Sequence, residues 1–479
     1  MTDKTTQLVV IGAGPGGYAA AFLAADLGLE VTLIAPETNP GGVCLYRGCI
    51  PSKALLHVAR LINETREAQT MGITFGGPNI DPVRLKAWKD EVVNSLTGGL
   101  GRLVTQRKVN HIRATAVFQD PQSLLLTLSD GGRSELRFEK AIIATGSYPS
   151  KIPGLDSDSP RIWNSKSALD LPDIPKNLLV IGGGYIGLEL GTVYAALGSE
   201  VTVVEMLPNL LAGVDRDLVR FLQKNLNAKF KQILLETRVA EAKAQEDGVK
   251  VSLQDPDKAI SSRLFERVLV AVGRRPNTGQ LGLAQAGVEV DGQGFIKVNE
   301  QRQTSAAHIY AIGDAAGEPM LAHKASHEGR VAVEAVTGRP TIYEPAAVPA
   351  VVFTDPEIAW AGLTESQAKD QGRNYEIARF PWAASGRAAT LGRSDGLTKL
   401  VVDPASERLL GVGIVGPGAG EMIAEAVLAI EMAASVTDIA LTIHPHPTLS
   451  ETFKEAAELF HGTATHYFRP QRKKSDSQR

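Results

Sequence analysis

Two cysteines are present among 479 residues, and they stand together at Cys44 and Cys49. A staple closing so short a loop stabilises little, because the loop-entropy gain shrinks with loop length. Two thiols also cannot build a disulfide-rich secreted scaffold or a four-thiolate metal site. Redox exchange is the chemistry that suits the pair. Pro51 is at home in the first turn of a helix, where its missing N–H costs nothing, and Ala54, Leu55 and Val58 continue apolar at helical spacing. Cys49 is therefore expected near a helix N-terminus, where free amides and the positive dipole end stabilise a thiolate, with Arg47 and Lys53 adding positive charge. The plainer reading, two buried thiols acting as small hydrophobes, accounts for neither the spacing nor the position.

A second group able to do chemistry is His444-Pro445-His446-Pro447-Thr448-Leu449-Ser450-Glu451, two histidines in a proline-stiffened segment with a carboxylate beyond. His-x-His suits a metal, although no third ligand stands nearby, and equally suits a proton-handling histidine oriented by a carboxylate. Dithiol oxidation needs such a base, since only a thiolate attacks a disulfide.

The elements that must position these groups repeat. Placing residues 7–35 over 177–205, an offset of 170, superimposes QLVVIGAGPGGYAAAFLAADLGLEVTLIA on NLLVIGGGYIGLELGTVYAALGSEVTVVE. Each copy reads as an apolar strand (Leu8 to Ile11; Leu178 to Ile181), a Gly-x-Gly-x-x-Gly turn, a helix and a second strand (Val31 to Ile34; Val201 to Val204). Gly12 and Gly182 make the tight turn, Gly14 and Gly184 let the backbone approach a pyrophosphate, and Gly17 and Gly187 pack helix on strand, so that helix amides face phosphates. Two copies in the same context imply two dinucleotides. Glu205 ends the second strand of the second copy, where an acid accepts the free 2′-hydroxyl of NAD and repels the 2′-phosphate of NADP. The first copy has Ala35 at that position and Glu37 two residues later. Either Glu37 reaches back to the ribose, or this site holds its cofactor with one fewer charged hydrogen bond.

Composition bounds the alternatives. Fifty Lys+Arg against 53 Asp+Glu, a net charge of -3, lack the basic footprint of a nucleic-acid binder. Hydrophobic residues at 43% and charged ones at 22% exclude disordered and coiled-coil classes, and the length suggests about three domains. Leu8 to Ala25 carries no charge, but its glycines argue against a membrane span or signal core. No membrane segment and a cytoplasmic location are expected.

The stretch GGVCLYRGCIPSK (41–53) resembles the redox-disulfide motif of the flavin-dependent pyridine nucleotide-disulfide oxidoreductases, in the dihydrolipoyl dehydrogenase form. Further similar stretches are Ala144-Thr145-Gly146, AVGRRPN (271–277), HIYAIGDAAGEPMLAHKA (308–325), FTDPEIAWAGLTE (353–365), FPWAASGRA (380–388) and HPHPTLSE (444–451). The resemblance implies an α/β fold: FAD domain 1–149, NAD domain 150–274, a central segment 275–345 completing the FAD site, and a C-terminal α+β dimerisation domain 346–479. It implies one non-covalent FAD at the first glycine turn and NAD at the second. Cys44 would exchange with substrate and Cys49 would sit against the flavin. Lys53, pairing with Glu189, would lie near the reactive flavin nitrogen; Asp314, after the strand His308 to Ile312, would bind the ribityl chain; Thr145, Gly146, Gly273 and Ala322 would complete the cofactor sites. His446 would be the base and Glu451 its orienting partner, supplied across a homodimer, with no metal and with His444 structural. The reaction implied is oxidation of protein-bound dihydrolipoamide with NAD as acceptor, in partnership with lipoylated acyltransferase or H-protein components of 2-oxoacid dehydrogenase or glycine cleavage complexes.

Three positions depart from the common family pattern: Tyr46-Arg47 replaces Asn-Val, and Ala35 replaces an acid. Glu205 argues against a related reductase of small disulfides using NADPH, and the lack of further cysteines argues against mercuric reductase-like chemistry. A docking subunit with a vestigial site would not need Cys44, Cys49, Lys53, Glu189, His446 and Glu451 together. Loop signals stand at Lys151-Ile152-Pro153-Gly154-Leu155, Arg274-Arg275-Pro276-Asn277 and Glu344-Pro345, and the basic tail 469–479 reads as a solvated end.

Overall fold

The uncharged run near the start of the chain divides, in the computed structural model that describes residues 4–155 and 159–468, into strand Lys4–Ile11, a glycine turn and helix Pro15–Asp26. Strand Val31–Ala35 then pairs parallel with the first, Leu8 against Val31 and Ile11 against Ile34. Gly12, at φ +104°, explains why the turn needs its glycine: a Cβ there would lie 2.3 Å from the Ala144 carbonyl oxygen. The second copy repeats this geometry between strand Asn177–Ile181 and helix Tyr185–Leu197, where Gly182, at φ +111°, would meet the Ala271 oxygen at 2.4 Å. A Cβ on Gly17 or Gly187 would strike the oxygen of the first glycine of its own turn, at 1.8 and 2.3 Å. Gly14 and Gly184 have nothing within 4 Å of the same position, so they face open space. The first and third glycines thus serve the fold, while the middle one leaves room for a ligand.

The first sheet is assembled from distant parts of the chain. Strand Arg133–Ile143 runs parallel to Lys4–Ile11, and the short strand Ile309–Ala311 returns to its other side with Ile309 against Ala141. Between these visits the chain builds a second, five-stranded parallel sheet and a three-stranded antiparallel one. It leaves through Ser147–Pro149 and comes back through Arg274–Pro276, which pair antiparallel as a narrow neck. Arg274-Arg275-Pro276 is thus a strand rather than the loop its composition suggested, because ladder bonds to the outgoing segment outweigh the local turn signal. Pro276 is tolerated there on a two-stranded edge.

The last sheet is antiparallel and five-stranded, with the order Ala350–Val352, Glu357–Gly362, Leu409–Gly416, Leu397–Val402, Glu376–Pro381. Helices Ala419–Glu431 and Glu451–His461 cover it, burying Ile423, Ala426, Phe453 and Ala456 against Ala359, Val412 and Ile414. A separate apolar cluster joins the units: Leu55 and Ile62 of helix Cys49–Glu67, Leu218 and Leu222 of helix Arg216–Lys229, and Ile358 and Val415 of the last sheet share one core. No helix among the described residues is long and apolar enough to cross a membrane. The basic tail 469–479 lies outside the described residues.

Strand Leu397–Val402 is buried throughout, Lys399 included. Its ammonium lies 2.9 Å from Asp215, 3.0 Å from Asp217 and 2.6 Å from Glu365, so it links the second unit to the last. Lys399→Met should cost about 3 kcal/mol, the usual scale for stranding buried charge. A urea unfolding midpoint equal to wild type would contradict this.

Candidate active site

Cys44 lies on the short helix Gly42–Arg47, and Cys49 is the first residue of helix Cys49–Glu67. Helix entry at Cys49 places Pro51 in the first turn, and the buried stripe that fixes the helix is Leu55, Leu56, Ala59 and Ile62. Ala54 and Val58, expected on that face, are only partly buried because the core lies further round the helix. The two thiols are within hydrogen-bonding reach, and their acidities split. The Cys44 thiol donating to it, together with the Lys53 ammonium, holds Cys49 down to about 7 despite burial. The same hydrogen bond, then burial and the Cys49 charge, push Cys44 well above the ordinary thiol range. In the dithiol form Cys49 is therefore the thiolate and Cys44 carries the proton.

Lys53, one turn into the same helix, reaches the buried Glu189 at 2.7 Å and lies 4.4 Å from the Phe353 ring centroid. The other Glu189 oxygen accepts the Phe353 N–H at 3.0 Å. Three parts of the chain meet at this carboxylate.

A cavity of about 670 Å³ runs beside these groups. Of the residues expected from sequence, Gly12, Gly14, Glu37, Cys44, Cys49, Lys53, Thr145, Gly146, Glu189, Asp314 and Ala322 line it. The remaining ones lie elsewhere. Gly17 and Gly187 are packed beneath their turns, and Gly182 and Gly184 form the second turn, whose helix presents Tyr185 and Glu189 to the same cavity. Gly273, at φ +105°, sits in the returning segment beside Ser150. Glu205 folds back on the second turn, accepting the Gly183 N–H at 2.7 Å and the Leu207 N–H at 2.8 Å. Open space at Gly14 and Gly184, each at a helix N-terminus, suits one dinucleotide pyrophosphate per turn.

His446 and Glu451 do not line this cavity. The His446 Nδ1 lies 2.9 Å from Glu451, whose second oxygen accepts the Thr448 N–H at 2.7 Å. Burial opposes charge on Glu451, but those two donors outweigh it and hold the carboxyl below its usual range. The imidazole itself is exposed. Both nitrogens of His444 are engaged, Nε2 with Glu425 at 2.8 Å and Nδ1 with the Thr442 oxygen at 2.9 Å, which leaves none for a metal. Leu428, Met432, Leu441 and Ile443, on the elements leading to this segment, are large apolar side chains left exposed, Ile443 by 94%.

Residues 6–329 match the family described as pyridine nucleotide-disulphide oxidoreductase, and residues 348–457 match its dimerisation domain. The chain belongs to this family. A Haemophilus influenzae protein named dihydrolipoyl dehydrogenase is 49% identical over 461 residues, covering 96% of each chain. One of the same name from Thermus scotoductus is 46% identical, covering 97% of this chain and 99% of its own. Among solved structures, LpdA from Mycobacterium tuberculosis superimposes with a TM-score of 0.87 at 27% identity, covering 95% of this chain and 99% of that one. The HOCl-induced flavoprotein disulfide reductase RclA from Escherichia coli, as its Cu(II) complex, gives 0.85 at 28% identity, covering 96% and 100%. Pyridine nucleotide-disulphide oxidoreductases of this kind use FAD and NAD(H).

Some supporting residues escaped the sequence reading. Ser147 donates to the Asp314 carboxylate and accepts from Arg274 at 2.7 Å, so the neck that joins the units also orients Asp314. Glu328, fully buried, accepts the Gly313 N–H at 2.6 Å and faces Arg302 and Lys324 at 3.0 Å each, fixing the turn that carries Asp314. Arg274 stood in the AVGRRPN stretch and could have been flagged there, whereas Glu328 carries no local signal.

In the reduced protein, alkylation of Cys49 by iodoacetamide should rise with pH around a midpoint of about 7, and Lys53→Met should move that midpoint upward. By linkage, the lowered Cys49 pKa contributes stability to the reduced fold that is lost as pH falls through about 7, while the raised Cys44 pKa withdraws stability as pH rises above the ordinary thiol value. An unshifted alkylation midpoint would contradict the assignment of Cys49 as thiolate.

Proposed function

We propose that the protein oxidises a protein-bound dihydrolipoyl group to its disulfide, with NAD as the final acceptor. The observation that carries this reading is the pair Cys44 and Cys49, of split acidity, lining one cavity with the first glycine turn and the Lys53–Glu189 pair. His446 takes the proton of one dihydrolipoyl thiol, whose thiolate attacks Cys44 of the Cys44–Cys49 disulfide; the second substrate thiol then displaces Cys44 to close the lipoyl disulfide and passes its proton to the departing Cys44 sulfur. Two electrons and two protons pass to the protein: Cys49 leaves as the thiolate, Cys44 is a thiol, and His446 holds a proton that Glu451 stabilises. When bound, FAD supplies the route by which the two electrons reach NAD. Gly12, Gly14, Gly17, Thr145, Gly146, Asp314 and Ala322 serve FAD, Lys53 and Glu189 stand at its reactive end, and Gly182, Gly184, Gly187, Glu205 and Gly273 serve NAD.

The domains follow as residues 1–149 for FAD, 150–274 for NAD, 275–345 completing the FAD site and 346–479 for dimerisation. His446 lies outside the cysteine cavity and close in sequence to exposed apolar side chains, which supports a homodimer in which each site draws its base from the other chain. Lipoylated acyltransferase or H-protein components of multienzyme complexes are the proposed partners. A cytoplasmic location is proposed with them, in a compartment where thiol exchange is maintained.

Cys49→Ser should abolish lipoamide turnover, and full activity in that variant would overturn the proposal. Refolding a mixture of inactive Cys44→Ser and His446→Gln chains should restore about a quarter of wild-type activity, because half the random dimers are hybrids with one intact shared site. A mixture as inactive as its parents would rule out the shared site.

A further inference from the structure

The departures from the family pattern, Ala35 and Tyr46-Arg47, meet in space. Ala35 ends its strand with a buried methyl group, opposite Arg113 of the next strand. Its counterpart in the second unit, Glu205, folds its carboxylate over the glycine turn, a contact that a methyl group cannot make. Glu37 lines the same cavity as Gly12 and Ala35, and Arg47 binds one of its oxygens, Oε1, at 2.5 Å. The other oxygen, Oε2, takes no partner among the described residues. Tyr46, beside Arg47, donates its hydroxyl to the Asn39 carbonyl oxygen at 3.0 Å, and the Gly41 N–H donates to Ala13 at 2.7 Å. Both residues that interrupt the cysteine pair therefore grip the loop 37–41, which is itself anchored on the first glycine turn.

We infer that Glu37 is the acceptor for the adenosine ribose hydroxyls of FAD in this chain, and that Arg47 is the residue that positions it. The inference rests on the assignment of FAD to the first glycine turn. Unpaired, a carboxylate on a loop past the strand end would spend much of its time in water; the guanidinium fixes one oxygen and leaves the other for a ribose hydroxyl. Arg47 stands one helical turn beyond Cys44, so the adenosine end of the cofactor is tied to the helix that carries the reacting thiol. A family position that elsewhere carries the ribose acid inside the strand is here served by a pair that spans the loop and the redox helix.

The test is titration of FAD into the apoprotein, followed by quenching of flavin fluorescence. Glu37→Gln and Arg47→Val should each weaken binding about tenfold, the loss expected for one charge-assisted hydrogen bond. The double variant should be no weaker than the poorer single one, because the pair acts as a unit, and Arg47→Lys should keep most of the affinity. Binding within about twofold of wild type in either single variant, or losses that add in the double variant, would overturn the inference. Should the Arg47→Val apoprotein fail to fold by circular dichroism, the near-isosteric Glu37→Gln decides alone. Because the titration reads flavin binding only, a wild-type holoenzyme that failed to oxidise dihydrolipoamide would refute the proposed reaction and leave this inference standing.

Discussion

The buried ion pair between Lys53 and Glu189 is the contact on which the arrangement of the site depends. Glu189 sits on the helix that opens the second glycine turn, Lys53 on the helix that begins at Cys49, and the remaining Glu189 oxygen holds the backbone at Phe353. A carboxylate this deeply buried is costly unless charge and hydrogen bonds surround it. The three segments are thus forced to one place, and the thiolate, the first dinucleotide turn and the second come together as a result. The ammonium does double service, since it also lowers the Cys49 pKa.

A different constraint acts on the backbone. The same turn is used twice, and in both copies the residue just past a neighbouring strand, Ala144 or Ala271, lies so close that any side chain at Gly12 or Gly182 would collide with its carbonyl oxygen. That close approach puts the helix N-terminus at the carboxyl ends of the parallel strands, where ligands of open α/β sheets bind. The antiparallel neck of Ser147–Pro149 and Arg274–Pro276 then lets one unit be inserted into the other without breaking the first sheet. Ser147 and Arg274 work on both sides of this boundary, joining the units and orienting Asp314.

The acid-base pair follows another logic. Cys44 and Cys49 face a cavity built within one chain, whereas His446 is exposed on a segment flanked by uncovered apolar side chains. Glu451 fixes the ring through Nδ1, which leaves Nε2 as the nitrogen free to handle a proton. On the proposed function, the orientation of the base is prepared locally by Glu451, and association of two chains is what would place it against a thiol.

By itself the sequence marked the two nucleotide units, the redox character of the cysteines and the His446–Glu451 group, whose reading as base and orienting partner came only with the family resemblance. These are encoded by short spacings, Gly-x-Gly-x-x-Gly, Cys-x-x-x-x-Cys and His-x-x-x-x-Glu, whose members meet through local backbone geometry alone. The link from Lys53 to Glu189, 136 positions apart, was legible only through family resemblance. Tertiary structure alone decided that Arg274–Pro276 is a strand, that Glu328 anchors the Asp314 turn, and that Arg47 reaches Glu37. Each depends on a partner brought near by the packing of other elements, and side chains that gain their meaning from such long-range contacts leave no pattern along the chain.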